Sequence, residues 1–301
     1  MKIGIVGAGA IGTLFAYRLA ETNDVTLLEI RRDIVEVINA DGITLDGDVP
    51  RAVRATTEAR ELFGSEALFV FVRATDTLRA LRAFSGELRP TCAIVSLQNG
   101  LGNEEAIKTA LGGHIALVIG ATTESSLAIG AGTARRVGVG QTVVGSAGAA
   151  PETCTRIAKL LDDAGIRAST AYDIRPHLWG KLIANAAINP VAALLDRTNG
   201  IVLEDANAGE IARSLAQEAA TVANAVRIPL PFPDPWSYIR AIVEQTADMR
   251  SSMVHDLAAG GRTEIDFING AIVATGRRAA VPTPYNETIL RLVKAREATS
   301  A

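Results

Sequence analysis

Gly7-Ala8-Gly9-Ala10-Ile11-Gly12 constrains the fold of this chain more than any other segment. It follows a short apolar run, Ile3 to Val6, and opens a stretch with helical character, Ala10 to Glu21. When a G-x-G-x-x-G stands between a strand and a helix, each glycine has its own reason. The first permits the tight turn, the second lets the backbone approach a pyrophosphate, and the third lets the helix close on the strand. Phosphates then meet the unpaired N–H groups of the helix N-terminus. The competing reading is a glycine-rich strand-to-helix turn that holds no ligand. On either reading the chain begins with a β-α unit.

Further apolar runs follow at Val25 to Leu28, Leu68 to Val72, Ala93 to Leu97 and Ile115 to Ile119. They are apolar at consecutive positions, which suits parallel strands covered by helices on both faces. Helices are expected between them at Asp33 to Ala40, Thr77 to Leu88 and Glu104 to Leu111. Residues 130 to 148 change character, with glycines scattered among Val and Thr, and suggest short antiparallel strands and turns. A helix from Glu152 to Ala164 should end at Gly165. After Tyr172 helical periodicity takes over, in Pro176 to Leu195, Ala208 to Val226, Trp236 to Leu257 and Ile265 to Arg278. Pro229, Pro231, Pro233 and Pro235 form a stiff connector between two of these helices. A length of 301 residues accommodates two domains. We expect an α/β dinucleotide-binding domain over 1–171 and a helical domain over 172–301.

Composition narrows the partners. The net charge of −3 is too balanced for binding to nucleic acid or anionic lipid by bulk charge. Aromatic residues make up only 4%, which leaves little material for stacking single-stranded bases. No apolar stretch approaches the ~18 residues of a membrane span. Lys2 and the apolar stretch after it could pass for a signal peptide, but four glycines by position 12 weaken that helix. Cys92 and Cys154 fit neither a disulfide framework nor a metal cluster, and three scattered histidines add no ligand spacing. The expectation is a cytoplasmic protein in a reducing compartment, with no structural metal.

Glu29 closes the second predicted strand, where an acidic side chain can accept from the ribose hydroxyls of NAD and repel the 2′-phosphate of NADP. Arg31 and Arg32 follow at once and could attract that phosphate, or simply start a solvated helix. NAD is the expected cofactor, with NADP allowed.

Only five basic residues are lysines, Lys2, Lys108, Lys159, Lys181 and Lys294, against 30 Lys plus Arg in all. A lysine at a candidate site therefore raises the question of whether a compact, titratable ammonium is needed there. Lys181, Asn185 and Asn189 recur every four positions and share one helix face. A polar surface stripe or a core amide network has the same spacing. Leu178, Leu182, Ile183, Ala186 and Ile188 nevertheless make this helix too apolar to be mostly exposed. Further polar groups lie in Met249-Arg250-Ser251-Ser252-Met253 and in Thr263-Glu264-Ile265-Asp266. Taken alone, Glu264 reads as a first-turn acid beside a capping Thr263, and Ser252 as a tolerated helix serine.

Together with the loop Gln98-Asn99-Gly100-Leu101-Gly102 and the segment Asn269-Gly270, these pieces resemble the ketopantoate reductase (2-dehydropantoate 2-reductase) family over nearly the whole chain. The resemblance implies a Rossmann-type doubly wound sheet followed by an all-helical domain, with a small-molecule 2-keto acid as substrate and a homodimer allowed. It implies that Lys181 is the general acid that protonates the keto oxygen as hydride arrives, and that Glu264 positions substrate and lysine. Asn185, Asn189 and Ser252 would hold the substrate's carboxylate and hydroxyl, and Asn99 would sit beside the nicotinamide and substrate. The glycine segment from Gly7 to Gly12, with Glu29, Arg31 and Arg73, would hold the cofactor. Two positions depart from the family pattern: Arg73 stands where Lys is common, and Met249 where Asn is common. Met249 cannot make a strong hydrogen bond, so the distal end of the pocket is expected to be altered. Ketopantoate remains the first expectation. The alternatives are an NAD-dependent D-2-hydroxyacid dehydrogenase for branched or aromatic substrates, and a non-catalytic dinucleotide-binding regulator.

Overall fold

A computed structural model describes residues 1–300 and divides them into two compact units. The first comprises residues 1–98 and 103–174; the second comprises 99–102 and everything from Arg175 onward.

The first unit contains strands β1 (Lys2–Val6), β2 (Asp24–Leu28), β3 (Thr44–Leu45), β4 (Arg54–Thr56), β5 (Ala67–Val70), β6 (Ala93–Ser96), β7 (Ala116–Thr122), β8 (Ser125–Gly130), β9 (Thr133–Gly138), β10 (Thr142–Ser146) and β11 (Ala168–Thr170). Its helices are α1 (Ala10–Leu19), α2 (Arg32–Asp41), α3 (Thr77–Leu81), α4 (Asn103–Leu111) and α5 (Pro151–Asp163). Eight strands form the main sheet in the order β11-β10-β7-β6-β5-β1-β2-β4. All neighbours run parallel except β10 against β7. β1 thus lies between β2 on one side and β5 on the other, and the chain reverses its direction of travel across the sheet there. Such a reversal opens a crevice at the carboxyl ends of the strands, where ligands bind in open α/β sheets. The antiparallel strands expected in residues 130–148 are present as β9 and β10, which pair with β8 and β7 respectively; β8 and β9 join β3 in a second, three-stranded sheet. β1, β5 and β6 are buried almost throughout, as consecutive apolar residues require. Phe15 of α1 packs against Phe71, with ring centroids 4.6 Å apart, and helps seal the helix onto the sheet.

The second unit is built from α6 (Arg175–Leu194), α7 (Ile201–Glu204), α8 (Ala206–Ala225), α9 (Pro235–Thr246), α10 (Ser252–Ala258), α11 (Asn269–Arg278) and α12 (Pro284–Ser300). α6 is its central helix, with 13 of 20 residues buried. The face of α8 that packs on it is rich in alanine: Ala212, Ala216, Ala219, Ala220 and Ala223 let the two backbones approach closely. Asp205 caps α8, accepting from the N–H groups of Asn207 and Ala208 at 2.9 Å each.

Three expected helices are clearly shorter than their periodicity suggests, the one from Thr77 to Leu88 giving way after Leu81 to a single 3-10 turn over Arg82–Phe84. The run from Trp236 to Leu257 breaks between Thr246 and Ser252. The carbonyls of Ala247 and Met249 accept from the N–H groups of Gly200 and Asn199, at 2.9 Å each, and Ser251 caps a new helix through Val254 N–H. The helix expected from Ile265 begins at Asn269 instead, because residues 264–268 form a turn. Among the described residues, no helix is long and apolar enough to cross a membrane.

Candidate active site

The glycine segment leads directly from β1 into α1. Gly7 adopts φ +105°, and a Cβ there would lie 3.0 Å from the Val72 nitrogen. Gly12 is pressed so tightly against the turn that a Cβ would lie 1.9 Å from the Gly7 carbonyl oxygen. Around Gly9 the situation is the reverse, since nothing stands within 4 Å of where its Cβ would be. Gly9 is also the N-cap of α1, and no side chain caps that helix. Gly7 and Gly12 are therefore explained by the fold, whereas Gly9 leaves open space in front of a helix N-terminus. The arrangement fits the pyrophosphate of a dinucleotide.

Glu29 lies just beyond β2, its N–H donating to Thr56 O at 3.0 Å. Its carboxylate accepts from Arg31 N–H at 3.0 Å and from Ala8 N–H at 3.4 Å. The acid is thus held against the glycine segment. Arg31 and Arg32 are exposed at the start of α2, and Arg73 is exposed at the turn after β5.

In the second unit, Lys181, Asn185 and Asn189 lie along α6; the first two are half-buried and Asn189 is buried. That burial rules out a solvated surface stripe. Burial also pulls the Lys181 pKa down to about 8, against the opposing effect of the nearby Glu264 carboxylate. Glu264 is not the first-turn helix acid expected from sequence. It starts the turn that precedes α11, accepting at its carbonyl from Phe267 N–H at 3.0 Å and Ile268 N–H at 3.1 Å. The turn is fixed because Thr263 Oγ1 accepts from Ile265 N–H at 3.2 Å, while the hydroxyl and N–H of Thr263 both donate to Glu297 Oε1 at 2.7 Å.

The loop over residues 99–102 is clasped to the same turn, with Leu101 N–H donating to Phe267 O at 2.9 Å. Gly100 makes the clasp possible, since a Cβ there would lie 2.4 Å from that oxygen. Asn99 Nδ2 then donates to Glu264 Oε2 at 3.4 Å. Lys181, Glu264 and Asn99 are thereby brought together from three separate segments. Ser252 is exposed in the first turn of α10, a helix that packs on α6, and leaves the cap to Ser251. Met249 is half-buried, with its carbonyl fixed by Asn199 N–H. Asn199, which sequence reasoning missed, is buried, donates from Nδ2 to Thr246 Oγ1 at 3.3 Å, and leaves Oδ1 without a hydrogen-bond partner among the described residues. Its only sequence signal is a position just before Gly200.

The arrangement offers an ammonium of lowered pKa beside a carboxylate and amides. This is a set able to deliver a proton to an oxygen on which negative charge develops. The sequence profile of the family "Ketopantoate reductase PanE/ApbA" matches residues 3–149, and that of its C-terminal region matches 173–297. Among curated proteins, a 2-dehydropantoate 2-reductase of Archaeoglobus fulgidus is 33% identical over 97% of each chain. One of Pyrobaculum aerophilum is also 33% identical, again over 97% of each. Among solved structures, a PanE/ApbA family ketopantoate reductase from Ralstonia eutropha JMP134 superposes with a TM-score of 0.91 at 30% identity, covering 100% of this chain and 99% of that one. A D-mandelate dehydrogenase solved with NADH and anilino(oxo)acetate also reaches 0.91, at 25% identity and the same coverage. The chain therefore belongs to the ketopantoate reductase family of oxidoreductases.

Proposed function

We propose that this protein reduces a branched 2-keto acid to the 2-hydroxy acid with Lys181 as general acid, ketopantoate being the first substrate to try. The observation that carries this reading is Lys181 itself, an ammonium whose pKa burial brings to about 8 beside Glu264. When bound, the nicotinamide cofactor supplies a hydride to the keto carbon. The Lys181 ammonium gives its proton to the keto oxygen, becomes a neutral amine, and is reprotonated from solvent. A pKa near the working pH suits both steps. Glu264, steadied by Asn99, orients the ammonium, and Asn185, Asn189 and Ser252 hold the substrate's carboxylate and hydroxyl. The glycine segment holds the pyrophosphate, with Glu29 on the adenosine ribose, Arg31 and Arg73 near the cofactor, and NAD preferred over NADP.

The test is the pH dependence in both directions. Reduction needs the protonated lysine, so kcat/KM for the keto acid should be level below pH 8 and fall above it. Oxidation of the hydroxy acid needs the neutral amine and should rise through the same pH. A reduction rate that stays level to pH 10 would exclude Lys181 as the acid.

A second reading, an NAD-dependent D-2-hydroxyacid dehydrogenase for larger substrates, is favoured by Met249 and by the likeness to D-mandelate dehydrogenase. Turnover of ketopantoate, 2-ketoisovalerate and phenylglyoxylate separates the two. We expect activity on at least one keto acid without the hydroxymethyl group. Rejection of every such analogue by ~10⁴ or more would mean that a polar group reads the hydroxyl, against the inference from Met249.

A further inference from the structure

α6 carries a proline, Pro190, in its interior. Proline has no N–H, so the carbonyl four residues back, that of Ala186, loses its helical donor. Both residues are buried, and a buried carbonyl needs another partner. Asn269, the first residue of α11, supplies one: its Nδ2 donates to Ala186 O at 3.1 Å and to Asn286 Oδ1 at 3.0 Å. Asn286 in turn donates from Nδ2 to Leu215 O at 3.2 Å and to Glu218 Oε2 at 2.9 Å, both on α8. Asn269 and Asn286 have no exposed surface. The amide of Asn269 is used on one side only, because its Oδ1 is buried without a hydrogen-bond partner among the described residues. An alanine at 190 would satisfy Ala186 within the helix, so it is Pro190 that turns this carbonyl toward Asn269, whose Nδ2 also serves Asn286 Oδ1.

The two ends of this bond matter for the site. Ala186 follows Asn185 directly and lies five residues beyond Lys181, while Asn189 precedes Pro190. Asn269 directly follows the turn that Glu264 begins, a turn closed by Gly270 N–H to Ile265 O at 2.9 Å. We propose that Asn269 is a positioning residue for the reduction. Through the carbonyl that Pro190 frees, it sets the register between the Lys181 face of α6 and Glu264. The inference rests on the reading of Lys181 as proton donor.

A double-mutant cycle on the full chain tests it. Asn269→Ala should lower both the melting temperature and kcat for keto-acid reduction, the latter by about tenfold or more, as small misplacements of catalytic groups do. NADH affinity, measured by fluorescence titration, should stay within about twofold of wild type, which corresponds to only ~0.4 kcal/mol. Pro190→Ala restores an N–H that satisfies Ala186 inside the helix. In that background, Asn269→Ala should cost less stability than it does in wild type, the remainder being the donor that Asn286 Oδ1 loses, yet kcat should still fall about tenfold, because the tie to α11 is gone. The background also serves if the single variant does not fold. Recovery of kcat in that background would show that Asn269 only satisfies buried acceptors, and wild-type kcat in the single variant would be equally fatal. Lys181→Ala is run alongside. Wild-type turnover there would overturn the reading of the acid and this proposal with it. An inactive Lys181→Ala beside a fully active Asn269→Ala overturns the positioning role alone.

Discussion

The two units present polar groups by opposite means. In the first, the groups on offer are main-chain N–H groups at the mouth of α1, made accessible because Gly9 has no side chain and nothing else fills the space. In the second, they are long side chains on a helix that is otherwise buried, with Glu264 and Asn99 brought in from a turn and a loop. A backbone site depends on what is absent, so its tolerance is steric. A side-chain site depends on charge placed in a low-dielectric setting, and its tolerance is chemical.

The comparison breaks first at Lys181. Lys181→Ala should reduce kcat by on the order of a hundredfold or more while cofactor affinity is kept, because the ammonium acts on charge that develops only in the transition state. Steady-state kinetics beside an NADH titration decide it, and parallel losses in both would erase the division of labour. Within the first unit, two alanine substitutions should behave differently. Gly9→Ala is expected to melt like wild type and bind NADH about tenfold more weakly, a loss of ~1.4 kcal/mol. Gly12→Ala should lose stability by ~1 to 3 kcal/mol or more, since its Cβ has no room beside the Gly7 carbonyl. Equal melting temperatures for the two would show that the distinction drawn between them is empty. The smallest effect is expected at Glu29, a side chain in the backbone-dominated site. Wild type should prefer NADH, and Glu29→Gln should narrow the kcat/KM ratio of NADH to NADPH by roughly fivefold, about 1 kcal/mol. A preference for NADPH in wild type would give the decision to Arg31 or Arg32.

These differences also govern what could be read from sequence. The glycine segment, the strand tip at Glu29 and the face shared by Lys181, Asn185 and Asn189 are local patterns, and all are legible as spacing. β4 was missed because Arg54-Ala55-Thr56 has no apolar run; it is a strand only through its pairing with β2. The break after Thr246 and the turn before Asn269 were missed for a similar reason. They are set by bonds from Asn199 and Gly200 and by Glu297, which helical periodicity cannot register. Glu264, read from sequence at a helix start, therefore stands at the start of a turn instead. Ser251 and Ser252 show the same limit, because which serine caps α10 follows from where the preceding helix stops.

The lowered pKa of Lys181 has a thermodynamic side. Unfolding returns this ammonium to water and to its ordinary value of 10.5, while the folded chain holds it at about 8. Below pH 8 both states carry the proton and the native state bears the full cost of a buried charge. Between pH 8 and 10.5 the unfolded chain binds more protons, so raising the pH through that interval removes the cost. At neutral pH the Lys181 ammonium is thus a source of strain on the fold, and Lys181→Met should melt higher than wild type there. The gap between them should close as the pH approaches 10.5. A protein of this design holds its native state slightly below the stability its own packing would allow, and the deficit is located in one proton.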